Sequence, residues 1–434
     1  MMKKRIFIFE FVTGGGFNRV NIPISLFCEG FGMLRSIIKD FKSIGFEIYT
    51  LLDYRIHYLS TVLAIDNFII IKRKENYLKQ FKILVKECEY AFIIAPESTN
   101  ILYKLTNIVK NYNKIVLSTN LEGIKISTSK INTYKFFRKN KITTPKTYLI
   151  PFKKNNLDVE FIIQKFYELK KPIVIKPEDG VGALSIYFFK TKNQIENFFQ
   201  DFKCKIESGR NYVLQEFIEG TDLSISLINT ATSLNLQTKN PYILSINSQN
   251  INIKNPNYTS EYFGGITPIE NHQKTSIELT KILKKNDFSE FSGYFGIDLI
   301  KSEDSRFYFI EINPRLTTSY IGLRNAINQN PAKLILDSKL DGLKPKGVKI
   351  QYYSLFTRIE LVHSKSKLNK KFKEELAHKL INLIPELVTP PISLSKSDQF
   401  TCFIATKTED LNSSKKRMQE IQQLLEEFNF KIIK

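Results

Sequence analysis

Histidine, cysteine and tryptophan are scarce in this sequence: its 434 residues include four histidines, four cysteines and no tryptophan. The cysteines, at positions 28, 88, 204 and 402, form no CxxC pair, so the sequence indicates neither a zinc site nor a disulfide framework. The histidines share no metal-ligand spacing. Chemistry that depends on histidine is therefore disfavoured.

Long apolar runs are also missing, since no stretch reaches the roughly 18 uninterrupted apolar residues that a membrane-spanning helix needs. Basic residues at 3–5 are typical of the start of a signal peptide. However, the apolar run that follows contains Glu10 and ends in three glycines, with no small-residue cleavage site. We therefore expect a cytoplasmic globular protein with no membrane partner.

Acidic residues are outnumbered, and the formal net charge is +21. Such a charge raises the question of nucleic-acid binding, because lysine and arginine supply most non-specific affinity for phosphates. The lysines are nevertheless spread along the chain together with abundant Ile, Asn and Phe, and no basic stripe interleaved with aromatics stands out. We favour a general compositional bias, which would also serve an anionic small-molecule substrate.

The first third of the chain alternates strand-like segments with helix-like segments, beginning with a strand at Arg5–Val12. This rhythm predicts a parallel sheet with helical crossovers. Gly14, Gly15 and Gly16 follow the first strand, where they could either cradle a phosphate or form a tight turn; the absence of GxGxxG spacing favours the turn. Glu97 closes a later strand, where it could face a substrate or start a helix.

The middle of the chain has a different texture. Short β-like runs at 172–176, 184–189, 212–217 and 223–228 are predicted to be separated by turns rather than by regular helices, and a helix near 274–285 leads into two more strands. After a linker at 343–347, the sequence predicts a strand at 351–361, a helix near 371–383, a strand at 400–406 and a helix near 415–428.

The strongest chemical signal is a predicted hairpin formed by residues 294–300 and 307–312. Period-two alternation places Glu311 and Asn313 on one face, and Asp298 on the partner strand can lie beside them. Carboxylate and amide oxygens are suitable ligands for Mg²⁺, which shares its remaining positions with water and phosphates. The alternative is that these polar side chains simply face water, but Glu-x-Asn directly before Pro-Arg favours a metal site.

Two weaker signals precede the hairpin. Lys176 ends a buried type of strand and opens a loop that contains Gly180 and Gly182, where a point charge and backbone N–H groups could contact phosphate, or where a plain turn could form. Further on, an apolar strand containing Gln215 and Glu216 turns at Gly220 into a second strand. Such a hairpin could cover an adenine ring or be purely structural.

These three segments, in this order, resemble the ATP-grasp superfamily over residues 120–325. Stretches KITTPKT (141–147), EFIEGTDLSISL (216–227) and EINPRLTT (311–318) are similar in particular to the tyramine–glutamate ligases of methanofuran assembly. Gly296 stands where D-alanine ligases carry arginine, which disfavours that substrate class. The resemblance implies an ATP-dependent ligase that joins a carboxylate, here glutamate, to a tyramine-like or tyrosine-like amine through an acyl phosphate.

The resemblance also implies roles for individual residues. Lys130, Lys176 and the glycine loop would approach the phosphates, Gln215, Glu216 and Ile218 would border adenine, and Asp222 would take the ribose. Asp298, Glu311 and Asn313 would hold Mg²⁺, with Mn²⁺ as an alternative ion. Arg315 could stabilise the transferring phosphoryl group, clamp a carboxylate or form an ion pair at the strand end.

The implied fold is α/β, with α+β character in the nucleotide clasp. We expect an N-terminal pre-ATP-grasp domain (1–119), a central lid subdomain (120–208), a subdomain with the Mg-ATP site (209–340) and an additional α+β domain of unknown role (341–434). A homo-oligomer is compatible with the sequence. Two alternatives stay open: another ATP-grasp amino-acid or peptide ligase, and a non-catalytic basic protein that binds nucleic acid.

Overall fold

The computed structural model describes residues 4–153, 156–180, 186–201, 206–207, 209–230, 239–252, 260–365, 368–394 and 399–433. Helices and strands alternate through these ranges, which confirms the α/β prediction. No helix in the described ranges is long and apolar enough to cross a membrane.

The first unit is a parallel sheet with helical crossovers. Its elements are β1 (Arg5–Glu10), α1 (Ile24–Ser43), β2 (Glu47–Asp53), β3 (Asn67–Ile71), α2 (Tyr77–Glu87), β4 (Tyr90–Ile94), α3 (Ile101–Asn111) and β5 (Ile115–Val116). The strand order is β3-β2-β1-β4-β5. Strands β2 and β3 are thus added on one side of β1, and β4 and β5 on the other, so the strand order reverses between β1 and β4. In open α/β sheets, ligands bind beyond the carboxyl ends of the strands at such a reversal.

Helix α1 is buried on most of its surface, because apolar residues and small residues occupy most of its positions. Phe27, Phe31 and Leu34 belong to a core that α1 shares with the N-terminal sheet and with strands near the carboxyl terminus. The packing requires glycine at position 30, because a Cβ there would lie 2.8 Å from the carboxyl carbon of Glu10. The side chain of Glu10 therefore lies directly against this helix.

Two helices then lead into a second unit, an antiparallel sheet with the order β10-β9-β11-β6. The helices are α4 (Leu121–Ser127) and α5 (Lys130–Lys139), and the unit comprises β6 (Thr147–Leu149), β7 (Phe152–Lys153), β8 (Asn156–Leu157), α6 (Val159–Leu169), β9 (Ile173–Pro177), β10 (Tyr187–Phe189), α7 (Lys192–Asp201) and β11 (Tyr212–Glu216). Its own apolar core lies between the sheet and helices α6 and α7.

The third unit is a second antiparallel sheet with the order β13-β12-β17-β18. Its elements are β12 (Gly220–Asn229), β13 (Tyr242–Ser248), β14 (Ile251–Asn252), β15 (Glu261–Tyr262), β16 (Gly264–Thr267), α8 (His272–Lys284), β17 (Gly293–Ser302), β18 (Phe307–Asn313), α9 (Ser319–Ala326) and α10 (Pro331–Leu340). Strands β17 and β18 form the predicted hairpin.

The last hundred residues complete a sheet that begins inside the third unit. They form β19 (Ser354–His363), α11 (Lys370–Leu383), β20 (Leu387–Ile392), β21 (Gln399–Ala405), α12 (Leu411–Glu427) and β22 (Phe430–Ile432). Strand β16 pairs with β19 in the order β16-β19-β21-β20, and β22 also pairs with β19. The carboxyl-terminal segment is thus tied to the cleft-forming part of the chain, while the boundary at residue 340 stays a prediction.

One prediction about local structure was wrong. Helix α7 lies between two of the strand-like runs that were expected to be joined by turns alone. Ile195 and Phe198 of this helix are buried three positions apart while its other face is polar, a spacing that suits one turn of amphipathic helix. This helical signal was too short to stand out beside the strand-like run that ends at Phe189.

Candidate active site

The hairpin places two carboxylates side by side. Asp298 pairs with Glu311 across β17 and β18, and a bulge after Asp298 leaves Ile310 as the extra residue. The amide nitrogen of Asn313 donates to Asp298 Oδ2 at 2.9 Å, so that only the amide oxygen of Asn313 can serve as a metal ligand. Gln249, which the sequence did not single out, donates to the other oxygen of Asp298 at 2.9 Å.

Two lysines face these carboxylates from other elements. Lys130 is the first residue of α5, which Ser129 caps by accepting a hydrogen bond from the backbone of Asn132. Its Nζ atom lies 3.4 Å from Glu311 Oε2 and donates to the carbonyl oxygen of Gly180 at 2.6 Å. Lys176 is buried near the end of β9. Cations from two further elements thus approach the hairpin.

The pKa values of these groups reflect their burial and mutual charge. Burial and the neighbouring Glu311 raise the pKa of Asp298 to about 7. Burial also opposes ionisation of Glu311, but the charges of Lys130 and Lys176 outweigh it and hold the pKa of Glu311 below its usual value. Burial lowers the pKa of Lys176 to about 8. The protein therefore compensates the charge of Glu311, whereas that of Asp298 is incompletely compensated.

The opposite part of the cleft lies where β11 passes into β12. The side chain of Gln215 donates to Thr147 at 2.7 Å, and Glu216 faces Lys171 at 3.6 Å, so both side chains are engaged within the protein. Ile218 is buried. Burial raises the pKa of Asp222 to about 6. Gly182 lies outside the described residues.

A cavity of about 580 Å³ joins these groups, which is within the usual range for a small-molecule site. Its walls include Lys130, Lys176, the three hairpin residues and an apolar set formed by Val174, Ile186, Phe217, Ile218, Leu299 and Ile310. The structure therefore brings the described candidate residues to one cleft, although their individual roles stay predictions.

Arg315 closes the hairpin end of this cleft against the N-terminal sheet. Its Nε atom lies 3.1 Å from Glu97 Oε1, and both side chains are largely buried. Glu97 follows β4, whose end marks the reversal point of the parallel sheet. Of the alternatives for Arg315, the geometry supplies the ion pair, whereas stabilisation of the phosphoryl group and a carboxylate clamp both stay predictions.

Glu29 on α1 and Arg358 on β19 also line the cleft, although the sequence analysis did not identify them. They lie far apart in the chain and in no recognisable motif. The only available signal was indirect: parallel-sheet topology predicts a ligand crevice beyond β1 and β4, close to the start of α1.

Two family models match the chain. The model described as an ATP-grasp domain matches residues 127–319, and the pre ATP-grasp 3 domain matches residues 46–124. The first match contains the hairpin of β17 and β18, Lys130, Lys176 and the turn at Gly220 between β11 and β12.

Among proteins of known name, the chain is similar to tyramine–L-glutamate ligases. It is 30% identical over 340 residues to the enzyme of Methanocaldococcus jannaschii, an alignment that covers 77% of this chain and 89% of that enzyme. It is 29% identical over 326 residues to the Methanocaldococcus fervens enzyme, with coverage of 74% and 89%. Together with the two family models, these similarities show that the chain belongs to the ATP-grasp family of ATP-dependent ligases.

Solved structures are similar in fold. An ATP-grasp superfamily protein from Archaeoglobus fulgidus has a TM-score of 0.57 and 22% identity, with 93% of this chain and 100% of that chain covered. The biotin carboxylase domain of Hydrogenobacter thermophilus 2-oxoglutarate carboxylase, solved with MgADP and bicarbonate, has a TM-score of 0.68 and 13% identity, with coverage of 100% and 91%. The carboxyl-terminal segment is thus included in these alignments.

Proposed function

We propose that the protein joins a carboxylate of L-glutamate to the amine of tyramine or a similar compound, with ADP and phosphate as the other products. A role in the assembly of a methanofuran-type cofactor follows from the similarity to tyramine–L-glutamate ligases. The observation that carries the proposed chemistry is the meeting of Asp298 and Glu311 with Lys130 and Lys176 in one cleft.

The hairpin fits a divalent cation. Two adjacent carboxylates, with the pKa of Asp298 raised by burial and by Glu311, have chemistry suited to a positive charge between them. No group of three or more His, Cys, Asp and Glu side chains that could hold a metal occurs in the described part of the chain. A site of two carboxylates and one amide suits Mg²⁺, with Mn²⁺ as an alternative, because Mg²⁺ shares its coordination with water and phosphates.

The remaining cleft residues suit a nucleotide. Lys130 and Lys176 would neutralise phosphate oxygens, and Gly180 would allow the loop backbone to approach them. The side chains of Gln215 and Glu216 are already paired, so these residues would border adenine mainly through their backbone. The partly buried carboxylate of Asp222 would accept hydrogen bonds from ribose hydroxyls.

In the proposed reaction, a carboxylate oxygen of glutamate attacks the γ-phosphorus, and the bond between that phosphorus and the bridging oxygen of ADP breaks. The amine nitrogen then attacks the carbonyl carbon of the acyl phosphate, phosphate leaves, and the nitrogen loses a proton. A bound divalent cation supplies charge neutralisation for the triphosphate. The protein contributes positioned charges rather than a histidine base, which agrees with the scarcity of histidine.

The test is ATP-dependent amide formation by the purified protein, followed by ADP release and by mass spectrometry of the product. ADP release should require both L-glutamate and tyramine, and the product should have the mass of their amide. Tyrosine and other amines serve as comparison substrates. ADP release with a different acid and amine would correct the substrate assignment, whereas an absence of ATP turnover with every pair would contradict the proposed function.

A further inference from the structure

The cleft has a second charged centre, built from segments outside both matched family domains. Glu29 lies on α1, before residue 46, and Arg358 lies on β19, after residue 319. Glu29 accepts a hydrogen bond at 3.3 Å from Thr318, which lies on the segment that follows β18. The second centre therefore borders the hairpin, although the chain brings it together from both ends.

Arg358 is a buried cation whose hydrogen-bonding capacity is poorly used. Its side chain is 6% exposed, and its Nε atom is buried with no hydrogen-bond partner among the described residues. Its nearest carboxylates are long contacts, at 3.4 Å to Glu360 and 3.8 Å to Glu29. The guanidinium carbon lies 5.2 Å from the ring centroid of Phe263, which holds the group against an aromatic face.

This arrangement is costly without a ligand. A guanidinium carries five N–H donors in a fixed fork that matches a carboxylate, and a buried donor without a partner costs free energy. The neighbouring carboxylates do not provide the short, paired hydrogen bonds that such a fork makes when it is satisfied. Because Arg358 lines the cleft, an anionic group bound beside it would supply the paired hydrogen bonds that its fork lacks.

Glu29 supplies the opposite charge beside it. Its side chain is 18% exposed at the cleft, and its known partners are one hydroxyl and the distant guanidinium. Burial raises the pKa of this carboxyl to about 7, against the opposing effect of Arg358. A cationic ligand group at this point would give Glu29 a close partner of opposite charge.

We propose that Arg358 and Glu29 bind the charged head group of an amino-acid substrate, with Arg358 taking its carboxylate and Glu29 taking its ammonium group. This inference rests on the proposed ligase function, since it names a binding site for one of its reactants. A phosphate group is disfavoured as the ligand of this site, because Glu29 would repel it. They fit a carboxylate and an ammonium on one carbon atom.

The experiment uses three acids that differ by one charged group. L-Glutamate carries both head-group charges, 4-aminobutyrate lacks the α-carboxylate, and glutarate lacks the ammonium. Their binding to the full chain is measured by isothermal titration calorimetry, and ADP release with tyramine is measured separately. Wild-type protein should bind glutamate roughly 30-fold or more tightly than either analogue, the effect expected for loss of a buried charged partner.

Three variants test the assignment. R358Q should reduce the preference for glutamate over 4-aminobutyrate to below about threefold, and E29Q should do the same for glutamate over glutarate. R358K, which keeps the charge but loses the planar fork, should recover part of the preference. R306Q at the exposed hairpin tip is the matched control and should preserve every preference.

The outcomes separate this inference from the proposed function. Glutamate binding with the expected preferences, but without ADP release, would support the head-group site and contradict the ligase proposal. If the wild-type protein releases ADP with glutamate, but R358Q and E29Q both keep the wild-type binding preferences, the site would be overturned and the ligase proposal would stay intact. Failure of the wild-type protein to bind any of the three acids would also overturn the site.

Discussion

The two charged walls of the cleft are built in different ways. The hairpin wall (Asp298, Glu311 and Asn313) lies on two adjacent strands, and its geometry follows from the register of one hairpin. The composite wall (Glu29 and Arg358) depends on the packing of α1 against the carboxyl-terminal sheet, where the contact from Thr389 to Cys28 joins positions 361 residues apart. The charges proposed for metal and phosphate binding are thus encoded locally, and the charges proposed for substrate recognition are encoded by the tertiary fold.

This difference suggests a division of tasks. The hairpin wall lies within the matched ATP-grasp domain, whereas the composite wall lies outside both matched domains. A family can then retain one reaction while the segments around it define the acid and the amine. We expect damage to the hairpin wall to abolish turnover, and damage to the composite wall to change stability or substrate preference.

The largest expected effect comes from Glu311→Gln. The amide keeps the size of the side chain but removes the negative charge that faces Lys130 and the proposed metal, so kcat/KM should fall by more than about 100-fold. ADP release measures this effect, and circular dichroism verifies the fold. Glu303→Gln, at the exposed tip of the same hairpin, is the control; equal activity in both variants would remove the basis of the comparison.

Within the composite wall, we expect the largest loss of stability when the buried contact that holds α1 in place is removed. Asp40 on α1 receives hydrogen bonds from Arg324 at 2.7 Å and from the hydroxyl of Tyr320 at 2.8 Å. Asp40→Ala leaves a largely buried arginine unpaired, so the free energy of unfolding should fall by about 3–5 kcal/mol in urea denaturation. A change below about 1 kcal/mol would show that this pair does not hold α1 in place.

Much of the hairpin wall could be predicted from the sequence, because strand alternation and a short turn define which side chains share a face. The strand that ends in Lys176 and the turn at Gly220 were also local patterns, but they gave weaker signals than the hairpin. Arg358 could not be predicted, since its position depends on pairing between β16 and β19 and no local motif surrounds it. Glu97 and Arg315 were each identified as strand-end residues. The ion pair between them could not be predicted, because it forms only when two units pack together.

A smaller effect is expected where α1 touches the end of β1. A methyl group at Gly30 would lie 2.8 Å from the carboxyl carbon of Glu10, whose oxygens accept backbone hydrogen bonds from Val12 and Thr13. Gly30→Ala should therefore reduce the free energy of unfolding by about 1–3 kcal/mol through overpacking. Urea denaturation measures it, and unchanged stability would mean that this contact relaxes freely.

The pH dependence of nucleotide binding provides a test of Lys176. Burial lowers its pKa to about 8, so the lysine is charged below that pH and loses its charge above it. Affinity for ATP should be highest below pH 8 and fall by up to about tenfold between pH 8 and pH 9. Lys176→Arg stays protonated and should flatten this profile in calorimetry. The same decline in both proteins would assign the titration to another group.

The smallest effect is expected for an exposed ion pair remote from both walls. Lys42 and Asp66 have side chains that are 33% and 28% exposed. Lys42→Gln should change the free energy of unfolding by less than about 1 kcal/mol, because water screens such pairs. A larger loss in urea denaturation would mean that this surface ion pair stabilises α1 in the same way as the buried pair between Asp40 and Arg324 does.

The central claim is that Asp298, Glu311 and Asn313 hold the divalent cation that accompanies ATP. Mn²⁺ binding can be followed by electron paramagnetic resonance in the presence of a non-hydrolysable ATP analogue. The wild-type protein and Glu303→Gln should bind Mn²⁺ with equal affinity, whereas Glu311→Gln should bind it at least about 100-fold more weakly. Equal Mn²⁺ affinity in all three proteins would contradict the assignment of the hairpin as the metal site.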